Sequence, residues 1–303
     1  MRPELARAID LLRRNSPEAV EEAIGLMQNT VYSFSMKFCG HPQDAEDTSQ
    51  EVLYRSLPHL SKIDDPRALA VWLYTVTRNR CWRMRRKSVY APKQTLSLDE
   101  LMPDAQELGR LLADAGPGPE KNLLHAEQRE FLHTAVLRLP PPLRVVLVLH
   151  DMEELTTEEV ARVLGLQPGT VRVRLHRGRL QVRKEMSRLL AGETQVEEAP
   201  AKARSKRSRA PRPSAECHEL FANLSEYLDG RVEPVTCEQM TVHIQACPAC
   251  VAFLRELRTA IDRCRSLRLP CDPAVAARLR AVLTREYLRL IGVDASEAPP
   301  AAV

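Results

Sequence analysis

Between Thr156 and Lys184 the order of residues allows little besides two helices joined by a tight turn. Thr156 or Thr157 supplies an N-cap oxygen, with Glu159 near the reciprocal position of a capping box. Val160, Ala161, Val163 and Leu164 then form an apolar side, and Gly165 admits the left-handed backbone that ends a helix. Leu166 is predicted to enter the core, and Pro168, Gly169 and Thr170 open a second helix. That helix carries Arg172, Arg174, Arg177, Arg179, Arg183 and Lys184 with no acid among them. Two short helices around a glycine turn, the second one cationic, have the form of a helix-turn-helix. Its second helix lays N-terminal side chains on base edges in the major groove, while flanking arginines hold phosphates. The plainer alternative is an ordinary helical hairpin, and the basic second helix weighs against it.

The rest of the chain is also predicted to be helical. Hydrophobic residues make up 44% and aromatics only 4%, a poor composition for strands, which favour β-branched and aromatic residues. The fold class expected is all-α, and 303 residues suit two or three domains. Ile24, Met27, Val31, Phe34 and Phe38 recur at helical spacing until Gly40, His41 and Pro42 break the run. A second helix runs from about Asp44 to Leu57, with Ala45, Val52, Leu53 and Leu57 inward. A third follows the start signal Asp64, Asp65, Pro66 and continues to about Arg86. Prolines and glycines scattered over 88–120 mark a linker with at most one short helix. Residues 193–215 are poor in apolar side chains and basic after Glu198, the composition of a disordered tether. The first residues contain no apolar signal core, and no apolar stretch approaches the roughly 20 residues of a membrane helix. A soluble cytoplasmic protein without membrane association is expected.

A net charge of +4 says little until it is placed along the chain. Arg78, Arg80, Arg83, Arg85, Arg86 and Lys87 form one basic run without an acid, and Trp72, Tyr74, Trp82 and Tyr90 lie in or beside it. Cations hold phosphates, and rings stack on unpaired bases at about 1–3 kcal/mol each, so the mixture suits a single-strand face. A solvated basic helix with core tryptophans would look similar. Just upstream, Asp44, Glu46, Asp47 and Glu51 share one acidic helix, with Asp47, Gln50 and Glu51 on one face.

The phrase DAEDTSQEVLYRSLPHL followed by WLYTVTRNRCWRMRRK resembles region 2 of the extracytoplasmic-function group of bacterial sigma factors. LRLPPPLRVVLVLHDMEELTTEEVARVLGLQPGTVRVRLHRGRLQVR resembles region 4 of the same group. The resemblance covers about residues 20–190. It implies that region 2 binds the clamp of core RNA polymerase and opens the −10 promoter element, that region 4 binds the −35 duplex, and that the chain is not an enzyme. By position, Asp44, Asp47, Gln50 and Glu51 would meet core polymerase. Trp72, Arg78, Asn79 and Arg80 would hold the melted strand, and Thr170, Arg172, Arg174, His176 and Arg177 the promoter duplex. Two departures are the Pro140–Pro142 run, where the family has one proline, and Ser49, where a larger residue is usual.

The remaining segment holds six of the eight cysteines. His243, Cys247 and Cys250 have H-x3-C-x2-C spacing, and Pro248 disfavours helix at Cys247, so the C-P-A-C piece is expected to turn as a knuckle. A tetrahedral zinc site needs a fourth ligand. Cys217 is preferred, with Cys237 and His218 as rivals. The phrase from Cys217 to Cys250 resembles the zinc-binding anti-sigma domain, which implies zinc on Cys217, His243, Cys247 and Cys250 and contact of this domain with the sigma regions of its own chain. Buried, reduced, unmetallated cysteines are the bland alternative. Cys39 and Cys81 are read as core residues, and Cys264 and Cys271 match no ligand pattern. Val251, Leu254, Leu257 and Ile261 give one apolar helical face, and Val275, Leu279, Val282, Leu283, Tyr287 and Leu290 another. Either both faces close this domain's own core, or one of them meets the sigma regions.

The organisation expected is therefore region 2 over 1–90, a linker over 91–120, region 4 over 121–192, a basic tether over 193–215, the zinc domain over 216–292 and a tail over 293–303. The function expected is promoter-specific transcription initiation, regulated in cis by the zinc domain with a sign the sequence leaves open. The alternative is a stand-alone helix-turn-helix regulator that acts without polymerase. A zinc enzyme is disfavoured, because four protein ligands close the site and no acid–base motif accompanies it.

Overall fold

The computed structural model describes residues 3–83, 101, 124–190 and 215–293, and its described elements are all helices. They are α1 (Pro3–Leu12), α2 (Pro17–Cys39), α3 (Pro42–Leu60), α4 (Pro66–Arg83), α5 (Leu124–Arg138), α6 (Pro141–Leu147), a π-helical turn (Val148–Met152), α7 (Thr157–Leu164), α8 (Pro168–Leu190), α9 (Ala215–Leu228), α10 (Pro234–Ala246), α11 (Pro248–Ser266) and α12 (Pro273–Ile291). Among the described residues no helix is long and apolar enough to cross a membrane. The linker, the tether, the tail and residues 84–90 lie outside the described residues apart from Leu101, Ala215 and Val293.

Proline sits in the first turn of α2, α3, α10, α11 and α12, where its missing N–H costs nothing and its fixed φ favours the helix. Ser16 caps α2 by accepting from the Ala19 N–H, and Gly40 closes it at φ 80°. The start expected for the third helix is met at Pro66, and α3 is a few residues longer at each end than its periodicity suggests. The Pro140–Pro142 run places Pro141 at the start of α6, with the Leu143 N–H donating to Pro140 O at 2.9 Å. Ser49 is buried and donates to Ala45 O at 2.7 Å, so the short side chain satisfies itself within its own helix.

The chain divides into two compact units. The first holds α1–α4, the segment from Arg144 to Val171, and α12. Helix α2 is its axis: α1, α3, α4 and α12 all pack on it, and α12 also packs on α3. Gly25 lies where α12 crosses α2. A Cβ there would stand 3.2 Å from Arg280 Nη1, so glycine leaves the space that the arginine fills beside Glu21. Tyr32, Ala45 and Cys271 form a small buried cluster extended by Met36, Val275 and Ala276. Helix α12 thus packs on α2 and α3, with Val275 against this cluster and Leu283 and Tyr287 buried. Val282 and Leu290, expected on the same apolar face, are exposed.

A buried polar triad also belongs to this unit. Lys37 donates to Glu153 at 2.9 Å, Tyr74 donates to the other Glu153 oxygen at 2.7 Å, and Lys37 and Glu153 are fully buried. Arg144 donates to Phe38 O at 2.8 Å, and burial lowers its pKa to about 10.

The second unit holds α5, α8 from Arg172 onward, and α9–α11. Its core includes Leu180, Leu220, Phe221, Leu224, Phe253, Leu257 and Ile261, with Val251 and Leu254 packed against it. The first apolar face of the cysteine segment therefore closes this core. Phe221 and Phe253 meet edge to face at 4.7 Å.

Candidate nucleic-acid interface and metal centre

The turn between α7 and α8 forms as its residues dictate. The Thr156 side chain accepts from the Glu159 N–H at 3.2 Å, and the Glu159 carboxylate accepts from the Thr156 N–H at 2.8 Å, completing the capping box. Gly165 ends α7 at φ 65°. Leu166 is half-buried rather than a full core residue.

On α8, Thr170 and Arg172 are exposed, Arg174 and Arg177 are half-buried, and His176 is buried. Arg172, His176, Arg179 and Arg183 follow one another at steps of four, three and four, so they share one face. Each meets a polar group of α9, α11 or the turn after α9. Arg172 pairs with Glu226 at 3.5 Å, and His176 Nδ1 lies 3.0 Å from the Ser225 hydroxyl. Arg179 makes a two-pronged pair with Asp229 at 2.9 and 3.0 Å and donates to Ser225 O at 3.3 Å. Arg183 donates to Glu256 at 2.8 Å, and its guanidinium lies 4.6 Å from the Phe253 ring centroid. Burial above all, then the neighbouring Arg179 and Arg177 charges, lower the His176 pKa to about 4. Arg179 and Arg183, expected only as flanking phosphate holders, are fully buried in this arrangement. The signal that marks them is the helical spacing itself, because an inward face that is cationic needs acids from elsewhere.

In the first unit the acidic helix α3 divides its charges. Asp44 is buried, whereas Asp47 and Gln50 are exposed and Glu51 is half-buried. Asp47, Gln50, Glu51 and Tyr54 line one wall of a cavity of about 310 Å³ whose other wall is Leu279, Val282 and Leu283 of α12. Glu51 pairs with Arg55 at 2.8 Å and with Arg80 at 2.6 Å. On α4, Trp72 is half-buried with its ring edge-on to His59, Arg78 is half-buried with its pKa lowered by burial, and Asn79 is exposed. Tyr74 is a core residue bound to Glu153 and takes no part in an aromatic face. Trp82 is half exposed and stacks on Phe38 at 6.1 Å, so it is the open ring of this stretch among the described residues. Tyr90 lies outside the described residues.

The ligating atoms of Cys217, His243, Cys247 and Cys250 all lie within 4.8 Å of one another. Cys217 is in the first turn of α9, His243 in the last turn of α10, and Cys250 in the first turn of α11. Cys247 is the extended residue between α10 and α11, with φ −112° and ψ 104°, as expected before proline. Cys250 Sγ is 3.5 Å from Cys217 Sγ and 3.4 Å from His243 Nε2, and Cys217 Sγ is 3.5 Å from His243 Nε2. A tetrahedron with zinc–sulfur arms near 2.3 Å has edges of about 3.5–3.8 Å, so three sulfurs and one imidazole nitrogen at these separations fit zinc. Burial, with Cys217 and Cys247 beside it, raises the Cys250 pKa, which is the strain a bound cation would relieve. Cys237 is not one of the group, and the His218 side chain lies outside the described residues.

Comparison with known proteins agrees with this layout. The family model for Sigma-70 region 2 matches residues 24–89, that for Sigma-70, region 4 matches 129–182, and a zinc-finger family model matches 217–250. The chain is 27% identical over 186 residues to the ECF RNA polymerase sigma factor SigW of Bacillus subtilis, covering 60% of this chain and 96% of that protein. It is 31% identical over 163 residues to the ECF RNA polymerase sigma factor SigE of Mycolicibacterium smegmatis, covering 54% of this chain and 60% of that one. With the RNA polymerase sigma-E factor of Streptomyces coelicolor the identity is 31% over 169 residues, covering 55% of this chain and 85% of the relative. Regions 2 and 4 in this order, joined to a zinc-finger segment, make the chain a member of the extracytoplasmic-function group of sigma-70 factors with a C-terminal anti-sigma-like domain.

Proposed function

We propose that this protein directs core RNA polymerase to promoters, and that its own C-terminal domain restrains it. The division into region 2 over 1–90, region 4 over 121–192 and a zinc domain over 216–292 is part of that reading. Asp47, Gln50 and Glu51 meet polymerase, with Asp44 serving the fold beneath them. Trp72, Arg78, Asn79 and Arg80 hold the melted −10 strand, and Thr170, Arg172, Arg174, His176 and Arg177 engage the −35 duplex.

The observation that carries the restraint is the pairing of Arg179 with Asp229. A recognition helix holds DNA by giving its cations to phosphates. Here carboxylates of Glu226, Asp229 and Glu256 take that place along one face of α8. A helix engaged in this way must release those pairs before the same cations can face a duplex, so the sign of regulation is inhibitory. The packing of α12 on α3 beside Asp47, Gln50 and Glu51 supports the same sign at the polymerase face.

Zinc on Cys217, His243, Cys247 and Cys250 would be structural, tying the starts of α9 and α11 to the end of α10. A site closed by four protein ligands leaves no position for substrate. The stand-alone regulator is not favoured, because it gives region 2 no role. The test is promoter-dependent transcription in vitro with core polymerase, using the full chain and a chain ending at residue 195, each with and without a zinc chelator. The shortened chain is expected to be the more active, and the chelator to activate only the full chain. Equal activity of both chains under both conditions would remove the restraint.

A further inference from the structure

The buried polar triad crosses the boundary between the two sigma regions. Lys37 and Tyr74 belong to the segment that matches region 2, and Glu153 to the segment that matches region 4. One Glu153 oxygen accepts from Lys37 Nζ at 2.9 Å and the other from the Tyr74 hydroxyl at 2.7 Å, and all three side chains are buried. A second tie runs from Arg144 of region 4 to the carbonyl of Phe38, the neighbour of Lys37, at 2.8 Å. Packing follows the same division: α7 lies on α4, and the π-helical turn lies on α2. The first helix of the helix-turn-helix is thus held on the helix assigned to the melted strand.

We propose that Lys37, Tyr74 and Glu153 form a clasp between regions 2 and 4, closed in the free factor and opened when both regions engage one promoter. The proposal rests on the assignment of α4 to the −10 strand and of α8 to the −35 duplex. Those elements lie about 25 base pairs apart, about 85 Å along B-form DNA. Thr170, the first residue assigned to the duplex, is 17 residues beyond Glu153, and α7 accounts for 8 of them. With α7 rising about 1.5 Å per residue and the rest fully extended, Thr170 reaches at most about 45 Å from Glu153. Arg78 stands about one helical turn, roughly 6 Å, from Tyr74. Even with the bonded side chains added, the closed clasp falls short of the promoter distance, so the two regions have to part. The chemistry suits a contact that opens. A buried ion pair recovers about what its charges lose in leaving water, so it fixes register without making closure permanent. The clasp is also separate from the carboxylates on α8: residues 144–171 belong to the first unit, and the pairs of Arg179 and Arg183 to the second.

The test places two fluorophores on the full chain, at the exposed Lys62 after α3 and the exposed Arg162 on α7. They are carried on unnatural ketone side chains, because the chain's 8 cysteines bar thiol labels. Energy transfer between them reports closure, and it is expected to fall when core polymerase and a promoter form a transcribing complex. Tyr74→Phe keeps the ring and removes one arm of the clasp, a loss felt by the closed form alone. Losing a hydrogen bond to a charged group shifts the equilibrium between closed and open forms by about ten- to a hundredfold. Transfer in the free variant is therefore expected to fall, and transcript from a limiting amount of factor to rise by up to that factor. Ser56→Ala, whose hydroxyl donates to Val52 O of its own helix at 2.6 Å, should change neither. Transfer that stays high in a transcribing complex overturns the clasp alone. So does a Tyr74→Phe chain with a lower urea midpoint but unchanged transfer and transcript, because the triad then only holds one permanent fold. If core polymerase yields no transcript with the factor, with or without the zinc domain, the promoter assignment falls and the clasp falls with it.

Discussion

Replacing Asp229 with alanine removes both carboxylate bonds from Arg179 and leaves that guanidinium, whose side chain is fully buried, beside the Ser225 carbonyl at 3.3 Å. Truncating one member of a buried charge pair costs about 2–5 kcal/mol, much of it the cost of the charge left behind. Asp229 retains 14% exposure, so water screens part of the pair and the lower half of the range applies, about 2–3 kcal/mol. That cost falls only on the form in which α8 lies against α9 and α11. An equilibrium shifted by this amount changes by about thirty- to a hundred-and-fifty-fold. If the restrained form predominates, affinity of the full chain for a −35 duplex should rise by up to that factor. Fluorescence anisotropy of a labelled duplex at one fixed salt concentration measures it, since charge contacts to DNA depend steeply on salt. Asp262→Ala makes the same change of net charge on α11, at an exposed acid paired only with its helical neighbour Arg265 among the described ion pairs. It should move the affinity only slightly. Equal affinities for the two variants, with unchanged circular dichroism, would refute the argument.

The other predictions concern the supporting chemistry. Glu153→Ala removes the carboxylate paired with the buried Lys37 and should cost about 3–5 kcal/mol, read as a lower urea midpoint in equilibrium unfolding. His176 is held neutral, with its pKa lowered from 6.5 to about 4. Between those values the unfolded chain binds the proton and the folded chain does not. Its contribution is therefore complete above about pH 6.5 and lost as pH falls towards 4, and stability should drop by roughly 2 kcal/mol between pH 7 and 5. Urea titrations at the two pH values should show a smaller drop in His176→Gln. Cys217→Ser should lose bound zinc by elemental analysis, whereas Cys237→Ser should retain one zinc per chain, because Cys237 stands outside the four-residue cluster. Chelation of the wild-type chain should melt α9–α11, seen as lost helical circular dichroism, since the four ligands tie the starts of α9 and α11 to the end of α10.

Much of this molecule is legible where a local rule decides the outcome. The caps at Thr156 and Gly165, the extended Cys247 before Pro248 and the helix starts at proline follow from neighbours within a few residues. Ligand spacing likewise picked out His243, Cys247 and Cys250, and the structure sets Cys217 beside them. What sequence left open depends on partners far along the chain. Nothing near Lys37 announces Glu153, 116 residues away, and nothing near Tyr74 announces that its hydroxyl turns to the same carboxylate. Asp44 looked like one more charge on an acidic face, and its burial is decided by which side of α3 meets the bundle. Arg179 and Arg183 looked like phosphate holders because their acidic partners, 50 and 73 residues on, lie across a tether that carries no pattern.

The carboxylates that meet α8 belong to the same polypeptide as α8 itself. An inhibitor made as a separate protein can be outnumbered, and its target is then freed by relative abundance alone. Under the proposed restraint every copy of the factor carries one copy of its inhibitor, whatever the expression level. Raising synthesis therefore adds restrained molecules in the same proportion, and dilution does not separate the two. Under that proposal the unrestrained fraction changes only when the state of each molecule changes.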